Sequence, residues 1–249
     1  MVKVLVTGSK GFIGKNLLKK LEDKKVSILE FNRNDTADKL KTLVLESDFI
    51  CHLAGEVRPG STEEDFKESN VVLTKAIIDI LTQANKNIPI LLASSIHAKL
   101  LKNEYGKTKR ESEILIERYS KENSINCFIY RLPHLFGEGC KPNYNSVMST
   151  WIYNSIKNLE INVFDRNINM RYLYVQDVVD EFTDTVFNQN KPLYIENIAA
   201  YDTTLGEVVD YINEFKENVR DTKFTIKNNE FKSKLFRTYQ DYYNKFIEL

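Results

Sequence analysis

The stretch Val2-Lys3-Val4-Leu5-Val6-Thr7-Gly8-Ser9-Lys10-Gly11-Phe12-Ile13-Gly14 decides the fold. Its first part is a short apolar run of strand type, and its second part opens the helical period Phe12-Ile13…Leu17-Leu18…Leu21. Between them the glycines fall at G-x-x-G-x-x-G spacing. In such a strand–turn–helix unit Gly8 permits the tight turn, Gly11 lets the backbone approach a pyrophosphate, and Gly14 allows the helix to pack close to the strand. The helix N-terminus then faces the phosphates with unpaired N–H groups.

Further strand-like runs recur at Val26–Phe31, Asp48–Leu53, Ile88–Ser94 and Asn126–Arg131, with helical patterns between them such as Val72-Leu73…Ala76-Ile77…Ile80-Leu81. Strands alternating with helices predict an α/β fold, a Rossmann-type doubly wound parallel sheet. Ser61-Thr62-Glu63-Glu64 reads as a capping-box start for a helix running to about Asn85. Beyond residue 140 or so the rhythm changes. A helix is expected over Val147–Leu159, then short strands at Ile161–Phe164, Tyr172–Val175 and Leu193–Asn197. Helices are expected at Asp177–Phe187 and from the capping box Thr204-Leu205-Gly206-Glu207 to about Glu217. We read residues 1–160 as an NADP-binding core with the catalytic residues. Residues 161–227 form a smaller α/β substrate-binding region interleaved with it, and residues 228–249 a C-terminal helix that could link to a further domain. In that tail Phe231, Leu235, Tyr239, Tyr242 and Phe246 make one apolar stripe, which docks on its own domain or meets a second chain.

Composition excludes several classes. The 249 residues are 42% hydrophobic and 28% charged with 9 Gly and 5 Pro, so disorder, collagen and coiled coil drop out. Lys+Arg and Asp+Glu both number 35, leaving no net field toward nucleic acid or an anionic membrane. Cys51, Cys127 and Cys140 lack metal-site spacing. No run approaches the roughly 18 apolar residues of a membrane span, and the strand pattern begins at once after Met1. A soluble, cytoplasmic protein without nucleic-acid or membrane partners is expected.

The second strand ends Glu30-Phe31-Asn32-Arg33. An acidic residue at that tip accepts a ribose 2′-hydroxyl and selects NAD, whereas an arginine clamps a 2′-phosphate. We take Asn32-Arg33 as the tip, which selects NADP(H); Glu30 at the tip would select NAD. Tyr105 and Lys109 stand four apart on one predicted helix face. A phenol with a pKa near 10 is a poor acid–base group at neutral pH, and a neighbouring ammonium favours its phenolate. Ser95, or its neighbour Ser94, ends the fourth strand, where a hydroxyl can bond a carbonyl oxygen under reduction.

Together these features resemble the extended short-chain dehydrogenase/reductase superfamily in its sugar-nucleotide branch. The likeness rests on Thr7 to Gly14, on Asp48-Phe49-Ile50-Cys51-His52-Leu53-Ala54-Gly55, on Asn70-Val71, Ser94-Ser95 and Tyr105…Lys109, and on Tyr174-Val175-Gln176-Asp177-Val178-Val179. A narrower resemblance is carried by Gly11-Phe12-Ile13-Gly14-Lys15-Asn16-Leu17 and by Leu135-Phe136-Gly137…Cys140-Lys141-Pro142-Asn143-Tyr144-Asn145-Ser146-Val147. This set looks like the reductase half of the bifunctional CapF-type capsular-polysaccharide enzymes.

The resemblance implies NADPH-dependent reduction of the C4 keto group of a UDP-linked 2-acetamido-2,6-dideoxy-hexos-4-ulose, in capsule or surface-polysaccharide precursor synthesis. Ser95, Tyr105 and Lys109 would be catalytic. Gly8, Lys10, Gly11, Phe12, Ile13, Gly14, Asn32, Arg33, Leu53, Ala54, Gly55 and Asn70 would hold the cofactor together with Tyr105 and Lys109. The UDP-sugar would meet Arg131, His134, Lys141, Asn143, Asn145 and Arg171. The superfamily pairs subunits through the helices expected over Thr62–Asn85 and Tyr105–Glu122, so a homodimer is implied. The family's C-terminal cupin domain, which epimerises C3 at a metal site, has no counterpart before Leu249. The expectation is therefore no metal, no epimerisation, and a cupin that is separate or truncated.

Only nine residues, 96 to 104, separate Ser95 from Tyr105, shorter than in most extended members. An NAD-dependent 4-epimerase or 4,6-dehydratase is a second reading; Ile96-His97 stands where such dehydratases place an acidic pair. A non-catalytic NAD(P)-sensing regulator is a third, and it has no use for Tyr105 with Lys109.

Overall fold

Strand β1 (Val2–Thr7) lies between β2 (Val26–Phe31) and β3 (Phe49–His52) in a parallel sheet whose order is β2-β1-β3-β4-β5-β8. The outer members are β4 (Ile90–Ser95), β5 (Phe128–Leu132) and the two-residue β8 (Tyr194–Ile195). Every pairing in it is parallel, with Val4 opposite Ile28 on one side and Phe49 on the other. The computed structural model describes residues 1–58, 60–196 and 198–247. Asn197, expected at the end of a strand, and the last two residues of the tail lie outside them.

Strand order reverses at β1 and β3, so the crevice where an open α/β sheet binds its ligand lies beyond the C-terminal ends of these two strands. Helix α1 (Phe12–Glu22) leaves β1, and α2 (Ala37–Glu46) leaves β2 with Thr36 as its N-cap. After β3 the chain enters α3 (Glu63–Phe66), passes through a π-helical segment at Lys67–Val72, and continues as α4 (Leu73–Gln83). The capping box at its start is Thr62 with Asp65, one residue later than Ser61 and Glu64. Short α5 (His97–Leu100) and the 20-residue α6 (Glu104–Asn123) follow β4.

The chain divides into two compact units. The first holds Met1–Leu132 with Val179–Ile198, and the second Pro133–Val178 with the chain from Ala199 onward. These lines differ from the regions 1–160, 161–227 and 228–249 drawn on the sequence, because the short strands His134–Phe136, Asn169–Tyr174 and Tyr201–Thr204 pair with one another while β8 returns to the first sheet. In the second unit β6 (His134–Phe136) pairs in parallel with β7 (Asn169–Tyr174), which pairs antiparallel with β9 (Tyr201–Thr204). Around that sheet stand α7 (Val147–Ile156), α9 (Leu205–Asn218) and α10 (Glu230–Phe246). Helix α8 (Val175–Phe187) begins two residues before the expected Asp177. The stripe of Phe231, Leu235, Tyr239 and Tyr242 is buried within its own unit. Ile161–Phe164 is not a strand: Ile161 and Val163 pack on the second core without a strand partner, and Phe164 stands fully exposed. All three cysteines are buried free thiols. No helix among the described residues is long and apolar enough to cross a membrane.

Candidate active site

The glycine loop is shaped by contacts a side chain would break. Gly8 has φ +70, and a Cβ there would lie 2.9 Å from the Ala54 backbone. At Gly14 a Cβ would come within 2.3 Å of the Gly8 carbonyl oxygen, so loop and helix touch. Gly11 is the N-cap of α1 and supplies no side-chain bond to it, and the first turn carries no acidic residue. By contrast Thr36, Thr62, Asn103, Ser146, Thr204 and Asn229 each accept a backbone N–H at their own helix start. The start of α1 therefore offers N–H groups and a positive dipole end beside an exposed glycine. A dinucleotide pyrophosphate fits that arrangement.

The tip of β2 is tied to this loop. The strand ends at Phe31, whose carbonyl accepts from Gly8 N (2.7 Å). Asn32 Oδ1 accepts from Lys10 N (3.0 Å), and Asn32 Nδ2 donates to Ser9 Oγ (2.8 Å). Glu30 is thus one residue inside the strand, with Asn32-Arg33 beyond it. Arg33 points to Glu56, with Nη2 2.8 Å from its carboxylate.

Below the crevice runs a buried polar chain that includes Asn70, expected at the cofactor. His52 Nδ1 is 2.7 Å from Thr7 Oγ1 and His52 Nε2 2.9 Å from Thr74 Oγ1. Thr7 Oγ1 accepts from Ala54 N, and Thr74 donates to the Asn70 carbonyl. Burial, reinforced by the Lys109 ammonium, pushes His52 down to about 3, so the ring is a neutral strut. Asn70 sits in the π-helical turn and is 1% exposed. Its Oδ1 accepts from Glu56 N (3.1 Å) and its Nδ2 donates to Thr108 Oγ1 (3.1 Å), so its side chain clamps the loop after β3 onto α6. A Cβ at Gly55 would lie 2.6 Å from Asn70 Oδ1 and 3.7 Å from Lys109 Nζ, which places loop, amide and ammonium together.

The hydroxyls and the phenol separate cleanly. The Ser95 hydroxyl accepts from His97 N (3.2 Å) and lies on the side of the Tyr105 phenol, whose proton affinity it lowers. Ser94 turns the other way and donates to Glu113 Oε1 (2.6 Å). Lys109, 4% exposed, donates to the Ala93 carbonyl (2.6 Å), and burial pushes it down to about 8 against the pull of Glu113. One expectation changes. Burial raises the Tyr105 phenol above its ordinary value, outweighing the lowering by the Ser95 hydroxyl, and Lys109 does not set the direction. The Tyr105 ring also lies 6.0 Å from Phe66 and 5.8 Å from His97, centroid to centroid.

The six residues expected at the sugar nucleotide do not form one set. Arg131 belongs to the first unit's interior: its Nε and Nη2 grip Glu113 at 2.9 and 2.7 Å, and its guanidinium lies 4.2 Å from the centre of the Tyr194 ring. The guanidinium is thus already engaged by a buried carboxylate, a partner the strand pattern did not show. Lys141, Asn143 and Asn145 are exposed on the loop between β6 and α7. His134 faces Tyr172 across β6 and β7, with ring centroids 5.9 Å apart. Arg171 precedes Tyr172 on β7 and so points to the opposite face, exposed and 3.9 Å from Asp202. Glu113 and Glu56 escaped the sequence reading. Glu113 stands four residues after Lys109 on α6, a period that marks it; Glu56 follows Gly55 directly.

A glycine loop at the switch point of a parallel sheet, with a serine, a tyrosine and a lysine gathered at β4 and α6, defines an extended short-chain dehydrogenase/reductase. Residues 4–191 match the NAD dependent epimerase/dehydratase family, and the chain belongs to it. It is 33% identical over 219 residues to a UDP-2-acetamido-2,6-beta-L-arabino-hexul-4-ose reductase of Pseudomonas aeruginosa, covering 87% of this chain and 58% of that protein. The crystal structure of the capsular polysaccharide assembling protein CapF of Staphylococcus aureus superposes with a TM-score of 0.84 at 39% identity, covering 96% of this chain and 65% of that one. A UDP-N-acetylglucosamine 4-epimerase of Methanobrevibacter ruminantium shares the fold at 16% identity and a TM-score of 0.83, over 98% of this chain and 99% of that one. The chain thus spans about three fifths of the reductase and two thirds of CapF.

Proposed function

We propose that this chain is an NADPH-dependent reductase of the C4 keto group of a UDP-linked 2-acetamido-2,6-dideoxy-hexos-4-ulose, a cytoplasmic step in surface-polysaccharide precursor synthesis. The observation that supports it is the gathering of Ser95 at the end of β4, Tyr105 beside His97, and buried Lys109 bonded to the Ala93 carbonyl, at the sheet edge that also holds the glycine loop. The reductase relative and the CapF likeness support the substrate class, and the Asn32-Arg33 tip supports NADP(H) over NAD.

NADPH, when bound, supplies the hydride. The start of α1 and the backbone of Gly11 hold the pyrophosphate, while Leu53, Ala54 and Gly55 line the cofactor. Ser95 donates to the substrate carbonyl and orients it. Tyr105 then gives its phenolic proton to the alkoxide oxygen at C4. A phenol raised by burial is protonated at neutral pH and so stands ready as the acid. Lys109, pushed down to about 8, carries a proton near working pH, and its positive charge favours the phenolate left behind. Asn70 fixes the loop and α6 relative to each other. For the UDP end we assign Lys141, Asn143 and Asn145, the cation and amides a diphosphate asks for, with His134 as a further contact; Arg171, on the other face of the sheet from His134, has no place in this set. A homodimer through α4 and α6 belongs to the same reading and is checked by light scattering.

Against a dehydratase, the chain places the His97 ring beside Tyr105 where an acidic pair would be needed. The test follows nicotinamide absorbance with NADPH and the UDP-linked 4-keto sugar, with NADH in parallel. Rapid NADPH loss is expected, and Tyr105→Phe should slow it by about 10²–10⁴-fold while leaving cofactor binding intact. Cofactor binding without oxidation by any 4-keto sugar would overturn the reductase.

A further inference from the structure

Arg33 follows β2 and Arg58 follows β3, the two strands that flank β1 and its glycine loop. Both guanidiniums close on one carboxylate. Glu56 Oε2 accepts from Arg33 Nη2 (2.8 Å) and Arg58 Nη2 (2.8 Å). Its Oε1 accepts from Arg58 Nε (3.0 Å) and from the backbone N–H groups of Val57 (3.0 Å) and Arg58 (2.9 Å). The backbone of Glu56 is fixed in turn by Asn70.

The cluster hides its anion and shows its cations. The Glu56 side chain is 1% exposed, against 64% for Arg33 and 40% for Arg58. Two guanidiniums on one carboxylate leave a net charge of one positive unit at the rim of the crevice. A glutamate serving a ribose hydroxyl would stand open at the strand tip; this one is buried beneath two arginines. The hydrogen bonds from both guanidiniums and from the loop N–H groups hold the carboxyl well below the usual range, so Glu56 stays a carboxylate at any working pH.

We propose that Arg58 is a second ligand for the 2′-phosphate of the adenosine ribose, and that Glu56 positions Arg33 and Arg58 as a pair. Selection of a 2′-phosphorylated dinucleotide then rests on three residues instead of on Arg33 alone. This rests on the nicotinamide-cofactor reading above. A phosphate monoester carries roughly −1.5 to −2 charge, which two arginines held side by side match better than one mobile side chain.

The test uses the full chain in isothermal titration with adenosine 2′,5′-bisphosphate and with AMP, which differ at the 2′-phosphate. The unchanged protein should prefer the bisphosphate. Arg58→Ala should weaken bisphosphate binding about tenfold and leave AMP within about twofold, as Arg33→Ala should. Glu56→Gln keeps an oxygen for the loop N–H groups but turns a donor toward the two Nη2 atoms. It should lower the bisphosphate preference several-fold even though the rim has gained positive charge. An Arg58→Ala protein with an unchanged preference would remove Arg58 from the site. A Glu56→Gln protein that binds bisphosphate more tightly would show the carboxylate to be a mere competitor and overturn its positioning role. Equal binding of the two probes by the unchanged protein would end this inference while leaving nucleotide binding standing. No binding of either probe or of NADPH would end the cofactor reading itself.

Discussion

Beneath the C-terminal edge of the six-stranded sheet, the buried residues include His52, Asn70, Lys109 and Glu113, each wired to named partners. Around the three-stranded sheet, the interior is filled by rings: Phe136, Trp151, Tyr172, Phe215, Phe231 and Tyr239. Both units bury an apolar core, but the first adds buried charged and amide side chains to it, whereas the second is built chiefly from rings. The difference teaches where chemistry can be placed. A preorganised polar interior fixes donors and protons to within a fraction of an ångström, and an aromatic interior holds a scaffold whose exposed loops are free to vary.

The sharpest way to break this contrast is to remove Glu113. It is fully buried and accepts from Ser94, Arg131 and Arg110. Glu113→Ala leaves Arg131, 14% exposed, with Glu196 at 3.6 Å as its remaining carboxylate in place of the two-point grip, and we expect a loss of about 3–5 kcal/mol in urea unfolding. A loss below about 1 kcal/mol would show the polar interior to be dispensable. In the second unit, Phe231→Ala should cost about 3 kcal/mol through lost packing with Phe136, Tyr172 and Tyr201, with the same value at pH 5 and pH 8.

Acid separates the units by a smaller increment per step. Folded His52 titrates at about 3, whereas an unfolded histidine titrates near 6.5. Between those values the unfolded chain binds the proton and the folded chain does not, so stability falls as pH drops from about 6.5 toward 3. The slope is at most about 1.4 kcal/mol per pH unit. His52→Gln should flatten the fall relative to the unchanged protein over that window. Parallel curves for the two would mean that the ring takes up a proton in the folded state.

The smallest effect is expected at Tyr172, whose hydroxyl is buried and, among the described residues, finds no hydrogen-bond partner. Tyr172→Phe should leave stability within about 0.5 kcal/mol or raise it slightly, because an unsatisfied polar group is lost with the ring retained. A clear loss would place a bound water or ligand on that oxygen.

The first unit was legible because its signals are local. Glycine spacing, apolar runs and the Tyr105/Lys109 period each lie within a dozen residues, and the strands fell within a residue or two of their expected places. The second unit was not. Its strands β6 and β9 are three and four residues long and exist only through pairing with β7, while Ile161–Phe164 has strand composition and no partner. Within the site, motif reading named a hydroxyl and a phenol that the fold brings to one sheet edge, but it did not show what Arg131 grips. An arginine on a strand looks the same in sequence whether it faces solvent or a buried Glu113 eighteen residues away. The direction of the Tyr105 shift was likewise invisible, since burial is a property of the packed helix.

The π-helical turn at Lys67–Val72 sets the phase of everything after it. Leu73 N bonds the Glu68 carbonyl, five residues back instead of four, so the turn holds one residue more than an α-helix would. One residue of helix is about 100° of rotation. Ahead of the turn, the phase is fixed by the Thr62–Asp65 cap; behind it, by buried Ile77 and Leu81. The wide turn is thus a clutch between two rotational settings, allowing Asn70 to face the loop after β3 while α4 keeps its apolar side on the sheet. Deleting one residue there would restore a regular helix and force a choice between the two.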